Sequence, residues 1–483
     1  MLERPDPSLI NDDLAPTTPE GRTWSVVNMA SLWIGMVVCV PTYMLAGGLI
    51  DLGMNWWQAV GTVLLGNVIV LVPMVLNGHP GTKYGVPFPV LARASFGILG
   101  ANVPSVLRGL VACGWFGIQT WIGGSAIYQL VNALTDQALV GTDLPVLGIN
   151  PAELASFLLF WAIQVVILIR GIESIKVLET LAAPFLIAMG LVLLVWAYVK
   201  ADGFGAMLSA ESAFAPGGAK EGQFLGAFFP ALTGMVGFWA TLSLNIPDFT
   251  RYARSQRAQM LGQALGLPTF MTLFAFIGVA VTSASVVIFG EAIPDPTVLV
   301  GRMGGGFTVA LSLLALSVAT LSTNIAANVV SPANAIMNMA PRHVGFRTGA
   351  LITAGLGVAI FPWKLIETTG GYIFTWLIGY SALLGPIGGI LITDYYLVRR
   401  TRLDLEGLFR REGPYWYAGG FNRVALVALL VGVLPNVPGF IGTAFEVSVP
   451  AFFMRVYDYA WFVGFLLAGA VYYAGMASSR RLS

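Results

Sequence analysis

The chain has 483 residues, of which 57% are hydrophobic and only 10% are charged, and its formal net charge is +1. This composition excludes a soluble globular protein and indicates a chain that crosses a membrane many times. The two cysteines, Cys39 and Cys113, both lie in long apolar stretches, which argues against a disulfide framework and against a multi-cysteine metal site.

Apolar stretches of about 20 residues predict membrane-spanning helices. We predict twelve of them, at about 28–50, 57–76, 102–132, 153–170, 177–199, 224–247, 260–289, 305–331, 347–363, 370–397, 422–445 and 452–476. An even number places both termini on one side of the membrane. Of the 25 Lys and Arg residues, 20 fall on that side and 5 on the other, so the positive-inside rule predicts cytoplasmic termini and a plasma (inner) membrane protein.

The first and sixth predicted spans share the pattern W-x7-P-x-[YF], at Trp33–Tyr43 and at Trp239–Phe249. A proline within a span removes a backbone hydrogen bond and interrupts the helix. Two interrupted spans, five helices apart, indicate an inverted-repeat transporter with its binding site near the middle of the membrane. The alternative is coincidence, since prolines are common in apolar helices.

Between the second and third spans, the glycines and prolines of Asn77–Gly97 predict an ordered cytoplasmic loop. In the third span, Trp115 and Gln119 are four residues apart and share one helical face. The Trp offers a flat apolar plate, and the Gln offers one carbonyl acceptor and two N–H donors. This pair suits a small planar ring with polar edges, although Trp115 is equally compatible with packing between helices.

A stripe of small, mostly polar residues runs along one face of the eighth span, at Thr320, Thr323, Asn324, Ala327, Asn328 and Ser331. An unpaired amide in hydrocarbon costs several kcal/mol, so the stripe faces protein or a water-filled cavity. One or two such residues would indicate only helix–helix contacts. The concentration of hydroxyl and amide groups at Ser322, Thr323, Asn324 and Asn328 favours a binding site.

Away from the span ends, the charges found within the predicted spans are Arg108, near the start of the third, and Asp458, early in the last. Ion-driven pumps often carry an acidic group or His in the middle of a span. Here the cavity is expected to be lined by neutral polar groups, aromatic rings and backbone, which suits a neutral polar ligand.

Six stretches together resemble the nucleobase–cation symporter family, and most closely its bacterial hydantoin and allantoin permeases. They are NDDLAPTTPEGRTW, HPGTKYGVPFPVLARASFGILGAN, WFGIQTW, LNIPDFTRYA, LSTNIAANVVSPA and LLGPIGGILITDYYLVRR. The resemblance implies an all-α, LeuT-like membrane fold with broken first and sixth helices and alternating access. The implied organisation is an N-terminal segment at 1–27, inverted repeats at 28–200 and 224–398, a cytoplasmic loop at 399–421, two further helices within 422–476 and a tail at 477–483.

The same resemblance implies roles for individual residues. Trp115 would stack on the ring, Trp239 would form a second aromatic wall, and Gln119 and Asn328 would hydrogen-bond the ring edge. Three further positions bear on the pocket: Phe238 stands where the hydantoin permease has glycine, Cys39 stands where it has glutamine, and Ile373 matches a bulky gate residue.

A sodium site is implied as well, formed by the carbonyls of Gly35, Val38 and Ala319 and the hydroxyls of Ser322 and Thr323. Hard cations take such oxygen ligands, and an unwound helix frees its carbonyls to provide them. The alternative for the two hydroxyls is hydrogen bonding to the preceding helical turn.

The sequence therefore predicts a secondary active transporter that imports a small, neutral cyclic ureide or nucleobase such as hydantoin, allantoin or uracil. Sodium is the expected coupling ion, no other cofactor is expected, and the partners are the substrate and the bilayer, without nucleic acid or an obligate protein. Alternatives are a proton-coupled or uncoupled carrier of another solute with the same fold, a channel, and a membrane-embedded enzyme. The enzyme is disfavoured because no span combines His, Cys and a carboxylate.

Overall fold

The computed structural model describes residues 3, 5–135, 139, 141–170, 172–303 and 306–482. Within these residues the regular elements are helices, and the β-structure is limited to two isolated bridges, Trp24 with Ala253 and Ala418 with Phe421. The predicted all-α class is therefore confirmed.

The helices follow the predicted spans closely. In the order of the twelve spans, separated by semicolons, they are Val26–Val37 with Val40–Asp51; Trp56–Tyr84; Asn102–Leu134; Pro151–Arg170; Ile172–Lys200; Phe224–Phe238 with Ala240–Asn245 and Pro247–Thr250; Gln256–Phe289; Gly306–Asn328 with Val330–Met339; Phe346–Ala359 with Pro362–Leu365; Gly371–Leu377, Ile378–Ile392 and Thr393–Val398; Arg423–Val433 with Val437–Ala444; and Ala451–Asp458 with Ala460–Leu482. Between the spans lie the short helices Phe88–Phe96, Phe204–Leu208 and Pro296–Arg302.

Eight helices in the described part of the chain are long and apolar enough to cross a membrane. The two halves of the first span, bent by 58° at their junction, form a ninth. Shorter apolar helices at Leu186–Lys200, Phe224–Phe238 and Phe346–Ala359 lie in the fifth, sixth and ninth predicted spans. These segments together account for the twelve predicted spans.

The expected loop Asn77–Gly97 is instead largely helical. The second span continues to Tyr84 and ends at Gly85, whose φ of 73° suits glycine. A Cβ on Gly81 would lie 2.4 Å from Thr250 Oγ1, so the absence of a side chain lets the second span approach the sixth. The glycines in this stretch therefore permit close helix packing, which in membrane proteins is a common role for small residues.

Five spans meet around the centre of the molecule. The third span packs along the eighth and also contacts the sixth and tenth spans. The first span packs against the seventh and contacts the eighth, and the tenth is supported from outside by the twelfth. The first, third, sixth, eighth and tenth spans are thus the elements that can present side chains to a central site.

The N-terminal segment, residues 5–25, lies across the ends of several spans. Arg251, at the end of the sixth span, donates to the Asp13 carbonyl, the Ala15 carbonyl and the Thr17 hydroxyl, each at 2.8 Å. Hydrogen bonds from a charged group are worth about 1.5–3 kcal/mol each. The segment is therefore attached firmly to the sixth span.

Candidate functional site

The first span breaks at Val38 and Cys39, whose backbone angles are φ −81°, ψ 81° and φ −147°, ψ 158°. The Cys39 amide donates to the Val37 carbonyl, and the Thr42 amide donates to the Cys39 carbonyl. A continuous helix would direct these two amides to the carbonyls of Gly35 and Val38. The break thus releases both carbonyls from their usual helical donors.

The sixth span is interrupted at Trp239, where φ is −102° and ψ is 5°. The sequence pattern pointed instead to Pro247, which begins a further short helix. In the first span, likewise, Pro41 lies in the first turn of the second half and not at the break. The two spans are interrupted as predicted, but the assignment of the breaks to the prolines is wrong. The first amides of a helix have no acceptor within it, so a proline, which lacks the amide hydrogen, can stand in the first turn without breaking the helix.

Four aromatic rings surround Trp115, which is only 5% exposed. Its ring centroid lies 5.2 Å from that of Phe238, 6.2 Å from Tyr372, 6.1 Å from Trp376 and 6.4 Å from Tyr380, all in edge-on geometry. We call these five residues the aromatic cluster. It joins the third, sixth and tenth spans and provides apolar surface for a planar ring.

Trp239 extends this surface towards the first span. Its ring lies 4.9 Å from Phe238 and 5.1 Å from Trp33, again edge-on. The structure thus brings the predicted residues Trp115, Phe238 and Trp239 together.

Three members of the aromatic cluster were not identified from the sequence: Tyr372, Trp376 and Tyr380. A signal was present, because they recur at steps of four along the tenth span and so lie near one helical face. The first two belong to a π-helical stretch, Gly371–Leu377. Such stretches occur often at functional sites.

Gln119 lies one helical turn beyond Trp115. Its Oε1 atom is buried and has no hydrogen-bond partner among the described residues. The indole nitrogen of Trp376, a member of the aromatic cluster, is also buried and has no hydrogen-bond partner among the described residues. Each such buried polar group costs about 1–3 kcal/mol, so their presence near one aromatic surface indicates a place that a polar ligand completes.

Asn328 is held by a set of polar side chains. Its Nδ2 donates to Asn324 Oδ1 at 3.0 Å. Asn324 Nδ2 lies 3.0 Å from the Phe116 carbonyl, 3.2 Å from the Thr120 hydroxyl and 2.8 Å from Gln164 Oε1. We call Thr120, Gln164, Asn324 and Asn328 the polar network. It joins the third, fourth and eighth spans, and on the third span Thr120 directly follows Gln119.

The remaining predicted pocket residues lie on the first and tenth spans. Cys39 is buried, with its thiol 3.3 Å from the Thr42 hydroxyl. Ile373 is fully buried, and Cβ atoms on Gly48 and Gly234 would lie 3.7 and 3.1 Å from its side chain. Ile373 therefore fills the space between the first and sixth spans, and its role as a gate stays a prediction.

The predicted cation ligands are partly visible. Thr323 is buried on the eighth span, whereas the side chains of Ala319 and Ser322 are not among those that the structure describes. The carbonyls of Gly35 and Val38 are released by the break in the first span. Neutral carbonyl and hydroxyl oxygens of this kind fit a hard monovalent cation.

A cavity of about 310 Å³ opens at the connections that follow the seventh and ninth spans, and Tyr372 of the aromatic cluster lines it. Glu291 and Asp295 lie on its wall, together with Arg302, which pairs with Glu291. Burial raises the pKa of Asp295, although the carboxylate accepts two hydrogen bonds from Thr297. At this end of the molecule the cavity therefore reaches one member of the aromatic cluster.

Comparison with known proteins gives one consistent family. Residues 16–464 match the family model described as a permease for cytosine/purines, uracil, thiamine and allantoin. The purine-uracil permease NCS1 of Arabidopsis thaliana is 51% identical over 475 residues, covering 98% of this chain and 78% of the relative. The allantoin permease of Bacillus subtilis (strain 168) is 41% identical over 471 residues, covering 96% and 92%.

A solved structure agrees with this assignment. It is that of MHP1, a nucleobase-cation-symport-1 family transporter, in a closed conformation with bromovinylhydantoin bound. It is 27% identical to this chain, the match covers 98% of this chain and 97% of the other, and the TM-score is 0.78. The chain therefore has the LeuT-like membrane fold predicted from its sequence and belongs to the permease family for cytosine/purines, uracil, thiamine and allantoin, as a multi-pass membrane transporter and not an enzyme.

Proposed function

We propose that the protein imports a small, neutral, planar ring with an amide or ureide edge across the plasma (inner) membrane, with both termini in the cytoplasm. The relatives' names make uracil, purines and allantoin the first candidates, and hydantoins are the next. We further propose that the two inverted repeats occupy 28–200 and 224–398.

The observation that carries this proposal is the aromatic cluster together with the orphaned oxygen of Gln119. Five aromatic rings from three spans meet at Trp115. A buried acceptor, Gln119 Oε1, lies one turn away without a partner in the described part of the chain. A ring that packs on Trp115 and donates an N–H to Gln119 satisfies both features.

Selectivity follows from the same arrangement. The ring would stack between Trp115 and Trp239, while the amides of Gln119 and Asn328 would pair with N–H and C=O groups at its edge. An analogue that lacks these groups leaves the buried amides unpaired and is rejected on that account. Phe238 and Cys39 would set the size and polarity of the remaining wall.

Sodium is the proposed coupling ion. Its ligands would be the carbonyls of Gly35, Val38 and Ala319 and the hydroxyls of Ser322 and Thr323. The first and eighth spans supply these groups, and both spans also border the ring site. If sodium and the ring favour the same outward-facing state, each raises the affinity of the other by linkage.

The proposed transport cycle uses the interrupted spans. The ring enters through the cavity that Tyr372 lines and reaches Trp115 behind it. Ile373, packed between the first and sixth spans, would then close over the occupied site. Opening on the opposite side would release the ring and the ion to the cytoplasm.

The test is uptake of radiolabelled rings into proteoliposomes that contain the purified protein. Uracil, adenine, guanine, cytosine, allantoin and hydantoin are compared under an inward sodium gradient, an inward proton gradient and no gradient. We expect saturable uptake of one ring class, driven by sodium and lost in Trp115→Ala. Uptake driven by protons alone would refute the sodium assignment, and no uptake of any ring would refute the proposed substrate class.

A further inference from the structure

The polar network determines the orientation of the Asn328 side-chain amide. The starting point is the Phe116 carbonyl oxygen, which can only accept a hydrogen bond. The amide of Asn324 lies 3.0 Å from this oxygen. The group of Asn324 that faces Phe116 must therefore be its NH2, and the other end of the amide is the carbonyl oxygen Oδ1.

Asn324 Oδ1 is itself only an acceptor, and it lies 3.0 Å from the amide of Asn328. The group of Asn328 that faces it must be the NH2. The carbonyl oxygen of Asn328 consequently points away from Asn324. The Phe116 backbone carbonyl therefore fixes both amide orientations, and neither depends on telling nitrogen from oxygen within a side chain.

Gln164 and Thr120 lock this arrangement. The Thr120 hydroxyl donates to the Phe116 carbonyl at 2.6 Å, so its lone pairs are left to accept from Gln164 Nε2 at 2.9 Å and from Asn324. Gln164 Oε1 accepts from Asn324 Nδ2 at 2.8 Å. Turning the Gln164 amide over would set its NH2 against the NH2 of Asn324. The network is therefore self-consistent in one arrangement.

Gln164 is the outermost member of this network. It lies on the fourth span and is fully buried, and among the described residues its hydrogen bonds reach Asn328 through Asn324. A buried amide of this kind is costly in a membrane-spanning helix unless every group is paired. In this position Gln164 can act on a ligand only through Asn324 and Asn328, whose amides it helps to hold in the orientation that the Phe116 carbonyl sets.

We infer that Gln164 and Asn324 are positioning residues that hold Asn328 with its carbonyl oxygen towards the ligand, so that the site selects rings that present an N–H there. This rests on the proposed function, in which Asn328 contacts the ring. It narrows the substrate class to rings with a donor edge, such as the –NH–CO–NH– edge of a ureide. A ring with an ether oxygen in place of this N–H would bring that oxygen against the Asn328 carbonyl oxygen, and two acceptors cannot form a hydrogen bond with each other.

The test measures discrimination between matched rings in purified protein. Each ring that the wild-type protein binds is paired with analogues in which one ring N–H is replaced by O or CH2. For hydantoin, these analogues are oxazolidinedione, which has the O, and succinimide, which has the CH2. Affinities come from radioligand competition. We expect the wild-type protein to prefer the N–H ring about tenfold or more over at least one analogue, since an unpaired buried acceptor costs that much.

Gln164→Leu removes the nearest of the three acceptors that hold the Asn324 amide, so that Asn324 holds Asn328 less firmly. We expect its preference for the N–H ring to fall to less than about threefold, whereas Gln164→Glu, which keeps an acceptor towards Asn324, retains the wild-type preference. Gln263→Leu is the matched control, because Gln263 is equally buried but bonds Gln259 on the seventh span. In an Asn328→Ala background, Gln164→Leu should change the preference no further, as expected if it acts through Asn328.

The outcomes separate this inference from the proposed function. No binding of any ring by the wild-type protein would overturn the proposed function, and the inference with it. Ring binding with the same preference in wild type, Gln164→Leu and Gln263→Leu would overturn the inference alone. If Gln164→Leu does not fold, Thr120→Val removes the hydroxyl that Gln164 bonds and must lower the preference in the same way.

Discussion

The hydroxyl of Tyr372 donates to the carbonyl oxygen of Pro41 at 3.3 Å. This hydrogen bond ties the π-helical start of the tenth span to the second half of the broken first span. Tyr372 also contacts Trp115 and lines the cavity at the end of the molecule opposite the N-terminal segment. One side chain therefore connects the cavity, the aromatic cluster and the second half of the first span.

We expect Tyr372→Phe to favour opening of the structure at this point. One lost hydrogen bond is worth about 1 kcal/mol, which raises the population of an open state about fivefold. The native thiol of Cys39, buried at the break, reports this opening in a Cys113→Ala background. The measurement is the rate of maleimide labelling of Cys39, followed by mass spectrometry.

Tyr128→Phe is the matched control for this experiment. It removes another buried tyrosine hydroxyl, which accepts a hydrogen bond from Asn150 away from the site. Equal labelling rates in the wild type and both variants would show that the Tyr372 hydroxyl does not hold the first and tenth spans together.

The aromatic cluster should carry much of the affinity for the ring. We expect Trp115→Ala to weaken ring binding by about 2 kcal/mol, or roughly 30-fold, a typical loss when an aromatic stacking partner is truncated. Trp115→Phe keeps a flat apolar plate and should stay within about fivefold of the wild type. Scintillation proximity with a labelled ring measures both affinities without relying on tryptophan fluorescence.

Trp121→Ala on the same helix is the control. Trp121 packs against Phe157 and Trp363, outside the aromatic cluster, with ring centroids 6.1 and 5.4 Å away. If Trp121→Ala and Trp115→Ala weakened binding equally, the loss would reflect general helix packing and not contact with the ring.

The spans were predictable because apolar length is a property of the local sequence. The aromatic cluster was predictable only in part. Trp115 stood out beside Gln119, but Tyr372 lies more than 250 residues away, and its contact with Trp115 depends on how the third and tenth spans pack. The proline pattern did not locate the break at Val38 and Cys39, because a proline that starts a helical turn looks the same in sequence as one that interrupts a helix.

Charge counting also captured only part of the role of the basic residues. Arg93 was counted among the charges that set the topology. In the structure it is buried and donates to the carbonyls of Leu9 and Leu408 and to Asn338 Oδ1. Its partners come from three distant parts of the chain. No local pattern indicates such contacts, since they arise from tertiary packing.

The buried hydroxyl of Thr323 provides a test of the proposed cation site. In the wild-type protein we expect sodium to raise the affinity for the ring, because the ion and the ring stabilise the same state. Thr323→Val keeps the shape of the side chain and removes one oxygen ligand, so the affinity should become equal in sodium and in choline. Ring binding titrated at several sodium concentrations measures the effect.

Thr353→Val is the matched control, since the Thr353 hydroxyl is buried in the ninth span and bonds the Gly349 carbonyl. It should leave the sodium effect intact. A sodium effect that survives in Thr323→Val would remove this hydroxyl from the cation site, and no sodium effect in the wild type would refute sodium coupling itself.

The attachment of the N-terminal segment to the sixth span leads to a further prediction. Arg251→Met removes the three hydrogen bonds to Asp13, Ala15 and Thr17. Bonds from a charged donor are worth about 1.5–3 kcal/mol each, so losing even one should raise the detached population at least about tenfold. Arg22, whose guanidinium also bonds Thr17, then becomes accessible to trypsin.

The measurement is the rate of tryptic cleavage after Arg22 in the purified full-length protein, followed by mass spectrometry of the released N-terminal peptide. Arg257→Met is the control, because Arg257 lies near Arg251 in sequence but is exposed. It should leave the rate unchanged, whereas Arg251→Met should raise it about tenfold or more. Equal rates in the two variants would mean that other contacts hold the segment, the first candidate being the hydrogen bonds from Arg22 to the carbonyls of Thr82 and Lys83.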